Sequence, residues 1–194
     1  MKEVYNKMFK LATPYLKKGR MFDYQHTKEL LVLVDEIIKG DGLDETVIVP
    51  ALIFHDTGWG VLSSESKNDY HSAGSREDHM EKGAELANKI LTDIGYPKEK
   101  IEQITHLVSV HDYPSSSINK PLYKKDEFAI AGIDFLWRAT SSGFNKDLNE
   151  SGRSAEDQIA ILRSGASKRN MKSLLVLHSL FEKLLNDRLI EVKK

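Results

Sequence analysis

His55 and Asp56 close the apolar run Val47–Phe54, so a nitrogen donor and a carboxylate stand where hydrocarbon would be expected. Burying such groups without partners costs on the order of several kcal/mol, and an isolated ionised carboxylate far more. A cation held between them would compensate both. The same misfit recurs twice. Phe128–Ile133 leads into Asp134 before the apolar run resumes with Phe135-Leu136-Trp137. Upstream, His26 heads a stripe of Leu30, Leu33, Val34 and Ile37 at helical spacing, which places its imidazole on the core-facing side. Three apolar helices thus each deliver a ligand-type side chain inward.

Adjacent helical positions lie ~100° apart, so His55 and Asp56 can share one ion only near a helix end. Gly58 supplies the expected ending. The chain has no cysteine. Imidazole nitrogens and carboxylate oxygens without sulfur suit Fe, Mn, Co, Ni or Zn, and suit Mg or Ca less well. Two further histidines are candidates for a second ion. His79 aligns with Gly83 and Ala87 on the closely packed side of its segment, and His111 continues the buried stripe of Ile101, Ile104 and Leu107. His106 lies ~140° around the helix from His111, on the polar side with Glu102 and Ser109, and is left out of the metal set. His178 has no partner in the pattern and reads as a core or interface histidine.

A lone His, an adjacent His-Asp and a distant Asp, in that order, resemble the HD-domain superfamily of metal-dependent phosphohydrolases. The resemblance covers roughly Asp23 to Arg138 and rests on His26, His55, Asp56 and Asp134, with Gly58 closing a His-Asp-x-Gly turn. It implies an HD-domain-like helical bundle in which those four residues are the common metal ligands. Extra histidines at the positions of His79 and His111 resemble the binuclear branch, where they would hold the second of two divalent transition-metal ions and Asp56 would bridge. The implied activity is hydrolysis of a phosphomonoester or phosphodiester bond in a nucleotide-like substrate by a metal-activated hydroxide. His55, Asp56, His79 and His111 would be its catalytic residues. If not ligands, His79 or His111 would protonate the leaving group.

The chain also departs from the family. Trp59-Gly60 stands where many relatives carry a lysine, and His111 is followed by Asp112, not by a second histidine. Gly95-Tyr96-Pro97 precedes His111 and reads as a helix stop, so a cyclic dinucleotide is not the expected substrate. Two rival readings stay open: a di-iron oxygenase on the same scaffold, and a non-catalytic nucleotide-sensing module.

The elements that must position these residues read as helices near 2–18, 24–39, 44–57, 77–94, 98–111, 124–140, 155–164 and 170–190, with strand-like alternation nearly missing; the class is all-α. Asp44 can cap the third helix, and Pro50 inside it should bend the axis. At 194 residues, 40% hydrophobic and 29% charged, the chain suits one domain. Its ligand core would span about 23–140, with a helical extension over about 141–194. Polar stretches at about 60–76, 112–123 and 141–154 read as long loops, of the kind that in a compact domain are lids, binding loops or disordered. Arg76, Arg138, Arg153 and Lys168 are the candidates for substrate phosphate, with Lys67, His71, Lys120 and Arg169 also available.

A formal net charge of −1 with dispersed cations argues against a nucleic-acid duplex as partner. A small phosphorylated molecule fits better. No segment has the apolar length of a signal peptide core or a membrane span, so the cytoplasm is the expected location. The apolar face of the last helix, from Leu174 through Leu189, either covers the ligand bundle or forms a homodimer seam.

Overall fold

The computed structural model describes residues 2–115 and 117–192. Its order is α1 (Glu3–Lys18), α2 (Asp23–Asp41), α3 (Glu45–Phe54), a 3-10 turn (Thr57–Gly60), α4 (Ser64–Asn68), α5 (Ala73–Asp93), α6 (Lys98–Val110) and α7 (Lys125–Leu136). A second 3-10 turn (Trp137–Ala139) leads to α8 (Ser141–Ser151), α9 (Ala155–Lys168), a third 3-10 turn (Met171–Ser173) and α10 (Leu175–Val192). The fold is all-α, and no strand occurs among the described residues. None of the helices searched is long and apolar enough to cross a membrane.

Helix α3 is the axis of the core. Every residue from Val47 to Phe54 is buried, which only a helix covered on all sides can tolerate. α1, α2, α5, α6 and α7 pack around it. The Asp44 side chain accepts from Thr46 N at 2.9 Å, the expected cap of α3. The helix continues through Pro50 and ends at Phe54. α5 and α6 lie against each other, joined by a turn in which Gly95 adopts φ +73° and ends α5 as its sequence position suggests.

α10 covers the bundle: Leu177, Phe181 and Leu185 are fully buried, against α2, α7 and α9. Its first turn is held by Asp41 at the end of α2, whose two carboxylate oxygens accept from Val176 N at 3.0 Å and Leu177 N at 2.9 Å. His178 is half-buried on this helix and joins no ligand group.

Two of the three expected loops are largely helical. The 60–76 stretch contains α4 and the start of α5, which begins four residues earlier than periodicity suggests because Ser72 caps it, accepting from Ser75 N at 3.2 Å. The 141–154 stretch is mostly α8, capped by Thr140 and stopped at Gly152 with φ +66°. It buries only Gly143 and Phe144, too thin a stripe to register as a helical pattern. Between Asp112 and Tyr123 the described residues form turns and irregular backbone, with no helix or strand.

Gly58 also differs from its expected role. It follows the end of α3 and has no left-handed φ. Its hydrogen is needed because a Cβ there would lie 1.8 Å from the carbonyl oxygen of His79 and 2.7 Å from Gly83 N. The turn after α3 is thereby pressed directly on the backbone of α5, which carries His79.

Candidate metal centre

His55 and His111 occupy equivalent positions, each the residue just past the end of its helix, α3 and α6. Each ring turns back on that helix: His55 Nδ1 meets Leu52 O at 2.7 Å and His111 Nδ1 meets Val108 O at 2.8 Å. A carbonyl can only accept, so both Nδ1 atoms carry a proton and both Nε2 atoms face inward. His26 enters from the first turn of α2, His79 from α5 and Asp134 from the last turn of α7. The structure thus brings all six expected ligands to one place.

Their atoms form two groups. His26, His55, Asp56 and Asp134 each offer an atom within 4.8 Å of the others, and so do Asp56, His79 and His111. In the first, Asp134 Oδ1 lies 3.0 Å from His26 Nε2 and 3.3 Å from His55 Nε2, and Asp56 Oδ2 lies 3.3 Å from His55 Nε2. In the second, Asp56 Oδ1 lies 3.6 Å from His79 Nε2 and 4.0 Å from His111 Nε2, which are themselves 3.3 Å apart. Asp56 therefore turns one carboxylate oxygen to each group.

These contacts do not work as ordinary hydrogen bonds. Both ring nitrogens of His26, Nε2 of His55 and Nδ1 of His79 are buried without a hydrogen-bond partner. Such orphans cost about 1–3 kcal/mol each. Atoms sharing a transition metal at about 2.0–2.2 Å stand roughly 3.0–3.5 Å apart, close to the separations found here. The donor set fits a divalent transition ion.

Charge follows the same logic. Burial opposes a charged His55, yet the Asp56 and Asp134 carboxylates override it and hold the imidazole well above its ordinary range. Burial also opposes ionised Asp56, which Arg20 and His55 hold well below the usual carboxylate range. Asp134 is held low against its burial by His26 and His55. Burial, then His111, drives His79 well down, and burial, then His55, lowers His111. Asp56 and Asp134 are thus anionic and His79 and His111 neutral, as ligands require, while His55 holds a proton between the two carboxylates that a bound metal ion would displace.

Several supporting residues were invisible as such in the sequence. Trp137 is sandwiched between Phe22, with centroids 5.6 Å apart, and His26, 4.8 Å away at 3° between planes, so it fixes the His26 ring. Arg20 donates to Asp56 Oδ2 at 2.7 Å and to Asp23 Oδ1 at 2.8 Å. Asp23 is itself buried, and its carboxyl is pushed up by burial, with Arg20 opposing. Trp59, where the sequence suggested only a missing lysine, is fully buried, stacks on His79 at 4.2 Å and donates Nε1 to Asp56 Oδ1 at 3.2 Å. Trp59→Phe keeps the stack and removes the donor. It is expected to weaken metal binding about tenfold, measured by titration against a chelator; unchanged affinity would reduce the indole to packing alone.

The candidate phosphate contacts separate. Arg76, Arg138, Arg153 and Lys168 all line a cavity of about 470 Å³ that also reaches His26, Asp56, His111 and Asp134. Arg76 is paired with Asp112, the residue that stands where some relatives have a second histidine, and Arg138 pairs with Asp147 at 2.7 Å. His71 and Arg169 line the same cavity. Lys67 bonds to Lys18 O at 3.0 Å and lines a neighbouring pocket, while Lys120 pairs with Glu77 at 2.6 Å. His106 stays outside the metal groups and bonds to Glu127 at 2.8 Å. Glu127 in turn accepts from Tyr123 N and Lys124 N at 2.8 and 3.2 Å, fixing the start of the helix that carries Asp134.

Buried His and Asp residues thus converge from α2, α3, α5, α6 and α7 of a helical bundle into groups that could hold a metal ion. The HD-domain family model matches residues 23–159, and the chain belongs to that family. No curated protein and no solved structure matches the chain.

Proposed function

We propose that this protein is a metal-dependent phosphohydrolase that cleaves a phosphomonoester or phosphodiester bond of a nucleotide-like substrate at a two-ion centre. The observation that carries this reading is Asp56, buried, anionic and offering separate oxygens to two ligand groups. His26, His55, Asp56 and Asp134 would hold one ion, and Asp56, His79 and His111 the other. Bound divalent ions supply Lewis acidity toward the phosphoryl oxygens and make water nucleophilic near neutral pH.

The chain contributes the rest. Arg20 donates to Asp56 Oδ2 and Trp59 to Oδ1, which fixes the orientation of the carboxylate, and Trp137 holds the His26 ring in its plane. Asp134 is the most open ligand, with 17% of its side chain exposed against 4% for Asp56, so substrate approaches from its side. There the cavity, of a size usual for small-molecule sites, offers Arg76, Arg138, Arg153 and Lys168 to the substrate's phosphate. Buried walls around the metal-ligand side chains keep bulk water from them and strengthen their electrostatic interactions.

The test is a screen of nucleotides and generic phosphoesters with Mn, Co, Ni, Fe and Zn in turn. Metal-dependent release of phosphate from a phosphomonoester, or of a phosphomonoester product from a phosphodiester, is the expected result. Oxygen uptake by iron-loaded protein without phosphoester hydrolysis would replace hydrolysis by the di-iron alternative, and nucleotide binding without turnover under every metal would favour a sensing module.

A further inference from the structure

The cations that line the cavity divide by what they touch. Arg20, Arg76, Arg138 and Lys146 each hold a carboxylate: Asp56, Asp112, Asp147 and Glu150. Arg153, Lys168 and Arg169 also line it and form no ion pair among the described residues. The first two are exposed, but Arg169 is only 6% exposed. A buried guanidinium without an anion is a costly arrangement that a stable fold rarely keeps without a use.

The local structure explains only part of Arg169. It follows the last residue of α9, its guanidinium lies 4.0 Å above the Phe135 ring, and one terminal nitrogen donates to Gly165 O at 3.1 Å. Gly165 makes the approach possible, since a Cβ there would meet Phe135 Cζ at 2.4 Å. Capping and stacking use one donor and one face. A guanidinium has five N–H donors, and Nε of Arg169 is buried with no partner. Burial pulls the group down to about 10, so it stays cationic at neutral pH.

We infer that Arg169, with Lys168 and Arg153 at the rim, forms a second anion subsite, and that the substrate carries a phosphate beyond the one attacked at the metal centre. This rests on the phosphohydrolase reading and narrows it to substrates with two or more phosphates, such as nucleoside diphosphates, triphosphates or bisphosphates. Arg169 binds the spectator group by charge-assisted hydrogen bonds, since Asp112 and Asp134, the carboxylates that act on it across the cavity, form no ion pair with it.

Calorimetric titration of the full-length protein with inorganic pyrophosphate and, separately, inorganic phosphate tests this. Arg169→Gln is expected to weaken pyrophosphate at least about tenfold and phosphate less than about threefold, with unchanged metal content and partial recovery in Arg169→Lys. Should Arg169→Gln fold poorly, the exposed pair Arg153→Gln/Lys168→Gln is expected to weaken pyrophosphate several-fold. Equal loss for both probes, or none in either variant, overturns the subsite, because a capping and stacking residue would not discriminate the probes. The Asp56→Asn protein run alongside separates the two readings. If it binds metal normally, the metal centre is wrong, whatever Arg169 does.

Discussion

Asp56→Asn is expected to lose bound metal from both ligand groups and to lower phosphoester turnover by on the order of 10³-fold or more. The side chain keeps its shape, so packing against Trp59 and the end of α3 survives. What disappears is the charge. Both ligand groups depend on it, since Oδ2 faces His26 and His55 while Oδ1 faces His79 and His111. Metal-supplied stabilisation of a phosphoryl transition state amounts to several kcal/mol, and each 1.4 kcal/mol is about tenfold in rate. Arg20 keeps Asp23 as a partner, so the variant is expected to fold, with a lower melting temperature. His55→Ala should give the same loss of turnover through one ligand group. Elemental analysis, turnover and thermal melting of each variant check this. A variant with full metal and undiminished metal-dependent activity would remove Asp56 from the centre.

Gly58→Ala is expected to destabilise the fold by more than about 3 kcal/mol. The added methyl would meet the His79 carbonyl oxygen and Gly83 N, both backbone atoms that cannot rotate away. Relief requires the Thr57–Gly60 turn to lift from α5, which separates His79 from Asp56. Overpacking of a filled core costs typically about 1–3 kcal/mol, and contact with rigid backbone belongs at or above the top of that range. Gly74→Ala is the matched control: it lies in α5 with nothing within 4 Å of the new methyl, and should be neutral or slightly stabilising. Chemical denaturation of both variants checks the pair. Similar midpoints for the two would show that the turn and α5 have room between them.

How much the residues alone reveal depends on how local the determining physics is. The all-α class follows from periodicity, and α3 announces itself by a continuous apolar run. His26, His55 and Asp134 stand out because each interrupts or heads hydrocarbon, a conflict visible in one dimension. Trp59 and Trp137 do not stand out, since a buried tryptophan is an ordinary core residue until its stacking partner is known. Arg20 sits in a polar turn, and nothing in its neighbours indicates that it reaches Asp56, 36 positions away. α8 escapes a pattern search because its caps, Thr140 and Gly152, are stronger signals than its apolar stripe. Gly58 is legible as a special glycine, but the reason for it lies in α5 and exists only after folding.

Everything in the functional reading depends on divalent metal residing between His26, His55, Asp56, His79, His111 and Asp134. The most direct measurement is elemental analysis of protein purified without chelator, coupled to anomalous diffraction at the absorption edge of the metal found. The expected result is up to two transition-metal ions per chain, with anomalous peaks on either side of the Asp56 carboxylate. Protein that takes up no metal even when supplied with Mn, Fe, Co, Ni or Zn, with those imidazoles bonded only to protein groups, would contradict it.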